Sequence, residues 1–279
     1  MTGPLRTKAR LGAGRRAIAG GVPGRLAAAA ASLAADVYGL LADVAGLLFP
    51  DDPFCPHCGQ PCPGPGVEVL CSSCYDRLGL HARWRPLPLE GGVLAEAAAL
   101  GAYRGPLRQA VHRVKFRSDR RLGLALGYLM GALALTAAGP RRVDALVPLP
   151  LHGERAWRRG FNQAAVLARG AARTVGRPVW EGALVRVRAT RQQARLGEDA
   201  RRRNVEGAFA VPQDVSVAGR RLLLVDDVAT TGATLQAAAR ALVAAGAAEV
   251  YGTVVAAQER VDGRKKVPHR TVPNPDGGW

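Results

Sequence analysis

At 279 residues and 48% apolar, the chain is long enough to bury a sizeable core and too apolar to be disordered throughout. Its formal charge of +17 points to polyanionic partners such as nucleic acid, phosphates or pyrophosphate, yet lysine occurs only at 8, 115, 265 and 266, and an Arg-, Ala-, Gly- and Pro-rich chain is also what a GC-rich genome imposes. All five cysteines fall between Cys55 and Cys74, which argues for a local metal site in a reducing compartment and against a disulfide framework, so the chain reads as soluble and cytoplasmic.

Residues 1–25 form a basic arm, with Arg6, Lys8, Arg10, Arg15 and Arg16 and no acid, expected to be disordered. Over 26–50 the apolar Leu33, Val37, Leu40, Leu41, Val44, Leu47 and Leu48 recur at helical spacing. This predicts an amphipathic helix with one face in need of a partner, stopped by Pro50 and Pro53. Asp36 and Asp43 interrupt the apolar run and no clean cleavage site follows, so it does not read as a secretory leader.

Residues 51–85 carry two CxxC pairs, Cys55 with Cys58 and Cys71 with Cys74, separated by twelve residues. Such pairs let four thiolates converge tetrahedrally on zinc, each knuckle wrapping the metal in a tight turn, with Gly59 supplying the turn after the first. A module this small has too little core to fold alone, so the expected role of the zinc is structural, and a site closed by four thiolates has no open position for catalysis. His57 and Cys62 are second choices as ligands, and free thiols are the plain alternative.

A Pro-rich linker, Trp84 to Pro88, leads to a domain spanning 89–258. The segments Tyr103–Arg108 and Val111–Phe116 precede an apolar run, Leu122–Ala138, whose shortness and three glycines predict a buried core helix without membrane insertion. Lys115, just before it, is placed to hold an ammonium over a ligand, or is a surface lysine. Val143–Leu149 is an apolar strand ending in Pro148-Leu149-Pro150, a rigid turn that can present backbone N–H groups to a pyrophosphate. Arg158–Gln163 then opens a helix running to about Val175. Arg159 and Asn162 sit where an anion would be met; an Asn N-cap beside solvated arginines is the simpler use. Val179–Val187 reads as a further strand, and the basic stretch Arg191–Asn204 as a lid over phosphates or a nucleic-acid contact.

The most informative stretch runs from Gly219 to Gly246. Leu222–Val225 is a continuous apolar run, the mark of a strand buried on both faces of a parallel sheet, and Asp226 and Asp227 close it. Thr230, Thr231, Gly232, Ala233 and Thr234 make a small, hydroxyl-rich loop before an alanine-leucine helix. A loop of this kind at a helix N-terminus can aim several N–H groups at a phosphate, and carboxylates at a strand's carboxyl end can accept hydrogen bonds from a ribose diol. An ordinary strand with an Asx turn is the bland alternative, but buried Asp pairs are rare without a partner. Glu249–Ala256 is the final parallel strand and 259–279 a flexible tail; no GxxxxGK[ST] occurs, so an ATPase is not supported. Strand and helix patterns in series predict an α/β core with a parallel sheet flanked by helices.

LLLVDDVATTGAT resembles the signature with which type I phosphoribosyltransferases hold 5-phosphoribosyl-1-pyrophosphate (PRPP). Together with the four-cysteine finger, VPLP, RRGFNQ, TRQQARL, RRRN and GAF, it is similar to the ComF family of competence-associated phosphoribosyltransferase-like proteins, from about Leu48 to Ala257. The resemblance implies a type I phosphoribosyltransferase-like fold with an N-terminal zinc finger, Mg2+ accompanying PRPP, and a role in DNA uptake. It assigns Asp226 and Asp227 to the ribose in catalysis, Thr230 to Thr234 to the 5′-phosphate and the loop near Pro148 to pyrophosphate. Two functions follow: transfer of a phosphoribosyl group to an unidentified acceptor, or a binding or regulatory protein that keeps the pocket and contacts single-stranded DNA or competence proteins.

Overall fold

The computed structural model describes residues 54–62, 70–87, 89, 92–151, 161–188 and 205–258, all within one compact unit that begins at Asp52. The expected arm (1–25), amphipathic helix (26–50), tail (259–279), the Arg191–Asn204 stretch and Arg159 lie outside the described residues. In chain order the elements are α1 (Ser72–Leu78), β1 (Glu96–Ala102), α2 (Gly105–Phe116), α3 (Arg120–Leu135), a 3-10 turn (Pro140–Arg142), β2 (Ala145–Pro148), α4 (Gln163–Val175), β3 (Val185–Arg186), β4 (Phe209–Ala210), β5 (Arg221–Ala229), α5 (Ala233–Ala244) and β6 (Glu249–Ala257). Among the described helices none is long and apolar enough to cross a membrane.

Four strands form a parallel sheet in the order β1-β6-β5-β2. β5 lies inside it, paired on both edges, which is why Leu222, Leu223, Leu224 and Val225 are all fully buried. Side chains alternate between the two faces of a strand, and the cores on either side follow that parity. Leu223 and Val225 pack with Leu107, Val111, Leu126 and Leu167 from α2, α3 and α4. Leu222 and Leu224 pack with Leu235, Ala238 and Leu242 of α5 and with Leu184 and Phe209. The connection from β1 to β2 crosses the sheet in one direction and that from β5 to β6 in the other, so a constant crossover hand puts their helices on opposite faces.

The glycines of the Leu122 run have a packing role. α3 and α4 meet backbone to backbone: a Cβ at Gly127 would lie 2.1 Å from the Leu167 carbonyl oxygen, and one at Gly170 2.2 Å from that of Leu124. Glycine in a helix interior costs about 1 kcal/mol each relative to alanine, and it is kept here because no side chain fits the contact. Thr174 Oγ1 donates to the Tyr128 carbonyl across the same seam at 3.0 Å.

Three elements differ from the sequence expectation. β1, with the sequence EAAALGA, is made mostly of small residues with low strand propensity, yet it forms a strand, buried from Ala97 to Gly101, because β6 supplies a parallel ladder. The expected strand Val179–Val187 is broken: Val179 makes one bridge to Leu146, a turn follows Trp180, and only Val185–Arg186 pairs, antiparallel, with β4. Gly182 lies in the turn that makes that interruption. Finally, β5 runs on to Ala229 rather than stopping at Val225, because β6 pairs with it as far as Ala257. The acidic pair therefore sits within the strand.

Candidate functional site

The site forms at the carboxyl ends of β2 and β5, where open α/β sheets leave room for ligands. Beyond Ala229, Gly232 adopts φ +74°, a left-handed conformation that only glycine takes at little cost, and it starts α5 without a side-chain cap. The Ala233 amide lies 3.4 Å from Thr231 Oγ1. The N-cap Gly232 has no side chain to cap the helix, and the positive end of α5 is where an anion can be met.

Because successive strand residues face opposite ways, Asp226 and Asp227 have different surroundings. Asp227 is 6% exposed and points to the α2/α4 side. Its Oδ2 receives Lys115 Nζ at 2.8 Å and Gln163 Nε2 at 3.1 Å. Asp226 is half-buried, and its Oδ1 accepts the Asp227 amide at 2.8 Å. Burial first, then the charge of Asp227, pushes the Asp226 carboxyl up to about 7, against weaker opposition from the Asp227 amide and then from Lys115 and Arg186.

Pro148 and Leu149 are buried at the end of β2, and the Leu149 N–H donates to the Val225 carbonyl at 2.9 Å. Proline has no N–H, so this segment borders the site by position while the Pro148 and Leu149 nitrogens offer no free donor. Asn162 caps α4: its Oδ1 accepts the Ala164 amide at 3.0 Å and its Nδ2 donates to the Leu149 carbonyl at 3.0 Å. Thus Asp226, Asp227, Lys115, Asn162, Pro148 and Leu149 join the Thr230–Thr234 loop around one end of the sheet. Two residues that the sequence reading missed belong with them. Gln163 is 3% exposed and follows the cap. Arg186 lies on β3, its guanidinium 5.3 Å from the Phe209 ring, and its charge is felt at Asp226. The signal for Gln163 was its position at the first turn of a helix after a strand; nothing local marked Arg186.

The cysteine module packs on the same core. Cys55, Leu70, Cys74 and Leu78 pack in one cluster with Leu100, Leu107 and Val114. The sulfurs of Cys55, Cys58, Cys71 and Cys74 all lie within 4.8 Å of one another, and Cys58 Sγ and Cys71 Sγ are 3.7 Å apart. Four thiolates about 2.3 Å from a tetrahedral ion lie about 3.8 Å from each other, so this donor set fits zinc. Burial raises the Cys55 thiol, but amides of Cys58, Cys71 and His57 outweigh it and bring it to about 7, whereas burial and the neighbouring thiols push Cys74 up. Crowded sulfurs resist joint ionisation until a cation compensates them. Cys62 is not one of the four; His57, held below its usual pKa by burial and then by Arg113, puts Nδ1 3.3 Å from Cys74 Sγ.

Arg113 on α2 ties this module to the domain. It donates to the His57 carbonyl at 2.7 Å and the Pro56 carbonyl at 3.1 Å, and it pairs with Asp119 at 2.7 Å. Asp119 in turn caps α3 through the Leu122 amide, and Arg121 donates to the Phe54 carbonyl.

Residues 158–273 match the phosphoribosyl transferase domain family. The chain is similar to the DNA utilization protein YhgH of Salmonella typhimurium, 34% identical over 200 residues that cover 70% of this chain and 80% of that protein. It is also similar to competence protein F of Haemophilus influenzae, 30% identical with 71% and 82% covered, and to competence protein ComFC of Bacillus subtilis, 30% identical with 70% and 73% covered. Among solved structures, the glutamine PRPP amidotransferase of B. subtilis aligns with a TM-score of 0.36 at 22% identity, over 52% of this chain and 30% of that one.

Proposed function

The chain belongs to the ComF/YhgH family of proteins with a phosphoribosyltransferase domain, and from that premise we propose that it binds PRPP with Mg2+ at the β5–α5 site and transfers its phosphoribosyl group to an acceptor. The observation that carries this reading is the arrangement at the end of β5: an acidic pair, then a Thr-Gly turn, then a helix that starts at a left-handed glycine. In it, the amides and hydroxyls of Thr230, Thr231, Gly232, Ala233 and Thr234 hold the 5′-phosphate, and the acidic pair holds the ribose hydroxyls as the anomeric carbon becomes cationic. Asn162, Lys115 and the Pro148–Leu149 segment border the pyrophosphate end, and Arg159, outside the described residues, is proposed as a further charge for it. Mg2+, when bound with the ligand, neutralises pyrophosphate oxygens. Zinc held by Cys55, Cys58, Cys71 and Cys74 fixes the N-terminal module and has no open position for chemistry.

The test is thermal stabilisation of the full chain by PRPP with and without Mg2+, followed by pyrophosphate release across a panel of nucleobases. Mg2+-dependent stabilisation that Asp226→Asn removes supports the pocket. Identical shifts in wild type and variant would sink it.

A second reading, contact with single-stranded DNA in the setting of competence, is favoured by the outer face of α2. Arg108, His112 and Phe116 follow at four-residue spacing and are exposed, Phe116 to 65%. Arg108 stacks 5.9 Å from the Tyr103 ring, the Tyr103 and His112 rings are 6.5 Å apart, and those of His112 and Phe116 5.4 Å. Rings interleaved with arginine suit stacked bases and phosphates. Binding of oligo-dT that falls steeply with salt and weakens in Phe116→Ala supports it; binding indifferent to that substitution counts against it.

A further inference from the structure

Gln236 is a buried polar side chain to which the pocket reading gives no role. It stands in the first turn of α5, its N–H donating to the Gly232 carbonyl at 2.9 Å, and it is 6% exposed. A side-chain amide at this depth is costly unless its polar atoms find partners. Its Oε1 accepts the N–H groups of Val93 at 3.1 Å and Leu94 at 3.4 Å. These two amides come just before the sheet, which is first met at Ala95, whose N–H donates to the Val250 carbonyl at 2.9 Å. Gln236 therefore supplies the acceptor that no strand offers there.

The same segment covers the turn that begins α5. Leu87 and Leu94 pack into the core on the α5 side with Leu235 and Ala238, and the Leu87 N–H donates to the Ala97 carbonyl at 2.6 Å. Leu89, between them in the chain, lies against Gly232. Both close approaches depend on a missing side chain: a Cβ at Gly92 would overlap the Gln236 amide group, and one at Gly232 would overlap the Leu89 side chain. A turn built on a glycine at φ +74° has backbone freedom to lose when it closes on a phosphate.

We infer that Gln236 is a positioning residue for the phosphate cradle. Through Val93 and Leu94 it holds this strap in place, and Leu89 of the strap holds Gly232. The Thr-Gly turn is thereby kept in one shape before a ligand arrives, which removes part of the entropic cost of binding. The inference rests on the pocket reading above and adds to it a residue that acts without touching the ligand.

The experiment uses the full zinc-loaded chain, with ribose 5-phosphate as the probe in calorimetry, and thermal melts and hydrogen exchange of the unligated variants. Gln236→Met keeps the length of the side chain and removes the acceptor. Gln236→Glu keeps the acceptor, and a carboxylate in the first turn of a helix is favoured by its dipole. Gln236→Met and Leu89→Ala should each weaken ribose 5-phosphate by about five- to tenfold, and Gln236→Glu by less than about twofold. The Gln236→Met/Leu89→Ala protein should bind about as well as the poorer single variant, because both changes act through one strap. Gly127→Ala, which disturbs the α3/α4 seam, is the control: it should lower the melting temperature and keep wild-type affinity. Leu89→Ala should also speed exchange of the Gln236 amide, which is bonded to Gly232. Equal weakening by Gln236→Met and Gly127→Ala would reduce Gln236 to a stability residue and overturn the inference, as would losses that multiply in the double variant or a Gln236→Glu protein as weak as Gln236→Met. If the wild type bound no ribose 5-phosphate, the pocket reading would fall; faster exchange at Gln236 in Leu89→Ala would still support the strap, and unchanged exchange would overturn it.

Discussion

The Gly127 contact permits a quantitative test of how the helix layer over the site is assembled. A Cβ at this position would sit 2.1 Å from the Leu167 carbonyl oxygen and 2.9 Å from its carbon. Ordinary contact begins near 3.4 Å, so Gly127→Ala requires roughly 1.3 Å of separation. The opposing atoms are helical backbone, which no rotamer change can move aside. Gly131 against the Ala171 carbonyl at 2.5 Å and Gly170 against that of Leu124 at 2.2 Å clasp the same seam, so the helices cannot part locally. Overpacking of this kind costs about 1–3 kcal/mol or more, and the better helix propensity of alanine returns about 1 kcal/mol. A net loss of about 1–2 kcal/mol lowers Tm by about 2–8 °C in a domain of this size. Differential scanning calorimetry reads this directly, with Gly182→Ala as the control, since a Cβ there meets nothing within 4 Å. A Gly127→Ala protein as stable as the control would refute the close-packing argument.

Two further outcomes follow from the site. Asp226 titrates at about 7 in the fold, above its ordinary value of 3.8, so between those values the native state holds a proton that the unfolded chain releases. Stability from this group is fully present below about pH 4 and is lost as pH rises through about 7; unligated Asp226→Asn should show a flatter Tm profile from pH 5 to 8.5, and an unchanged profile would contradict the assignment. In the N-terminal module, Cys55→Ser or Cys71→Ser should lower bound zinc in metal analysis and Tm together, while a wild-type protein that folds metal-free at full stability would remove zinc's structural role.

Much of the architecture was legible because its signals are local. The Leu222–Val225 run needs neighbours on both edges and both faces, so its burial inside a parallel sheet followed from composition alone. The paired CxxC spacing predicted convergence of four sulfurs, and the structure brings together those four. Gly232 announced a turn at the start of a helix, and α5 begins there with Gly232 at φ +74°. β1 was not legible, since an alanine run becomes a strand here only through the ladder that β6 offers.

What only the tertiary structure decided concerns partners distant in sequence. Arg113 reaching Pro56 and His57, Lys115 and Gln163 meeting on Asp227, and Arg186 approaching Asp226 all depend on which elements the crossovers make adjacent. The acidic pair shows the division most clearly. Its residue types at the end of an apolar strand were enough to mark a candidate site. That one carboxylate turns towards α5 and the other into a buried ion pair depends on how far β5 continues, and the length of β6 beside it sets that.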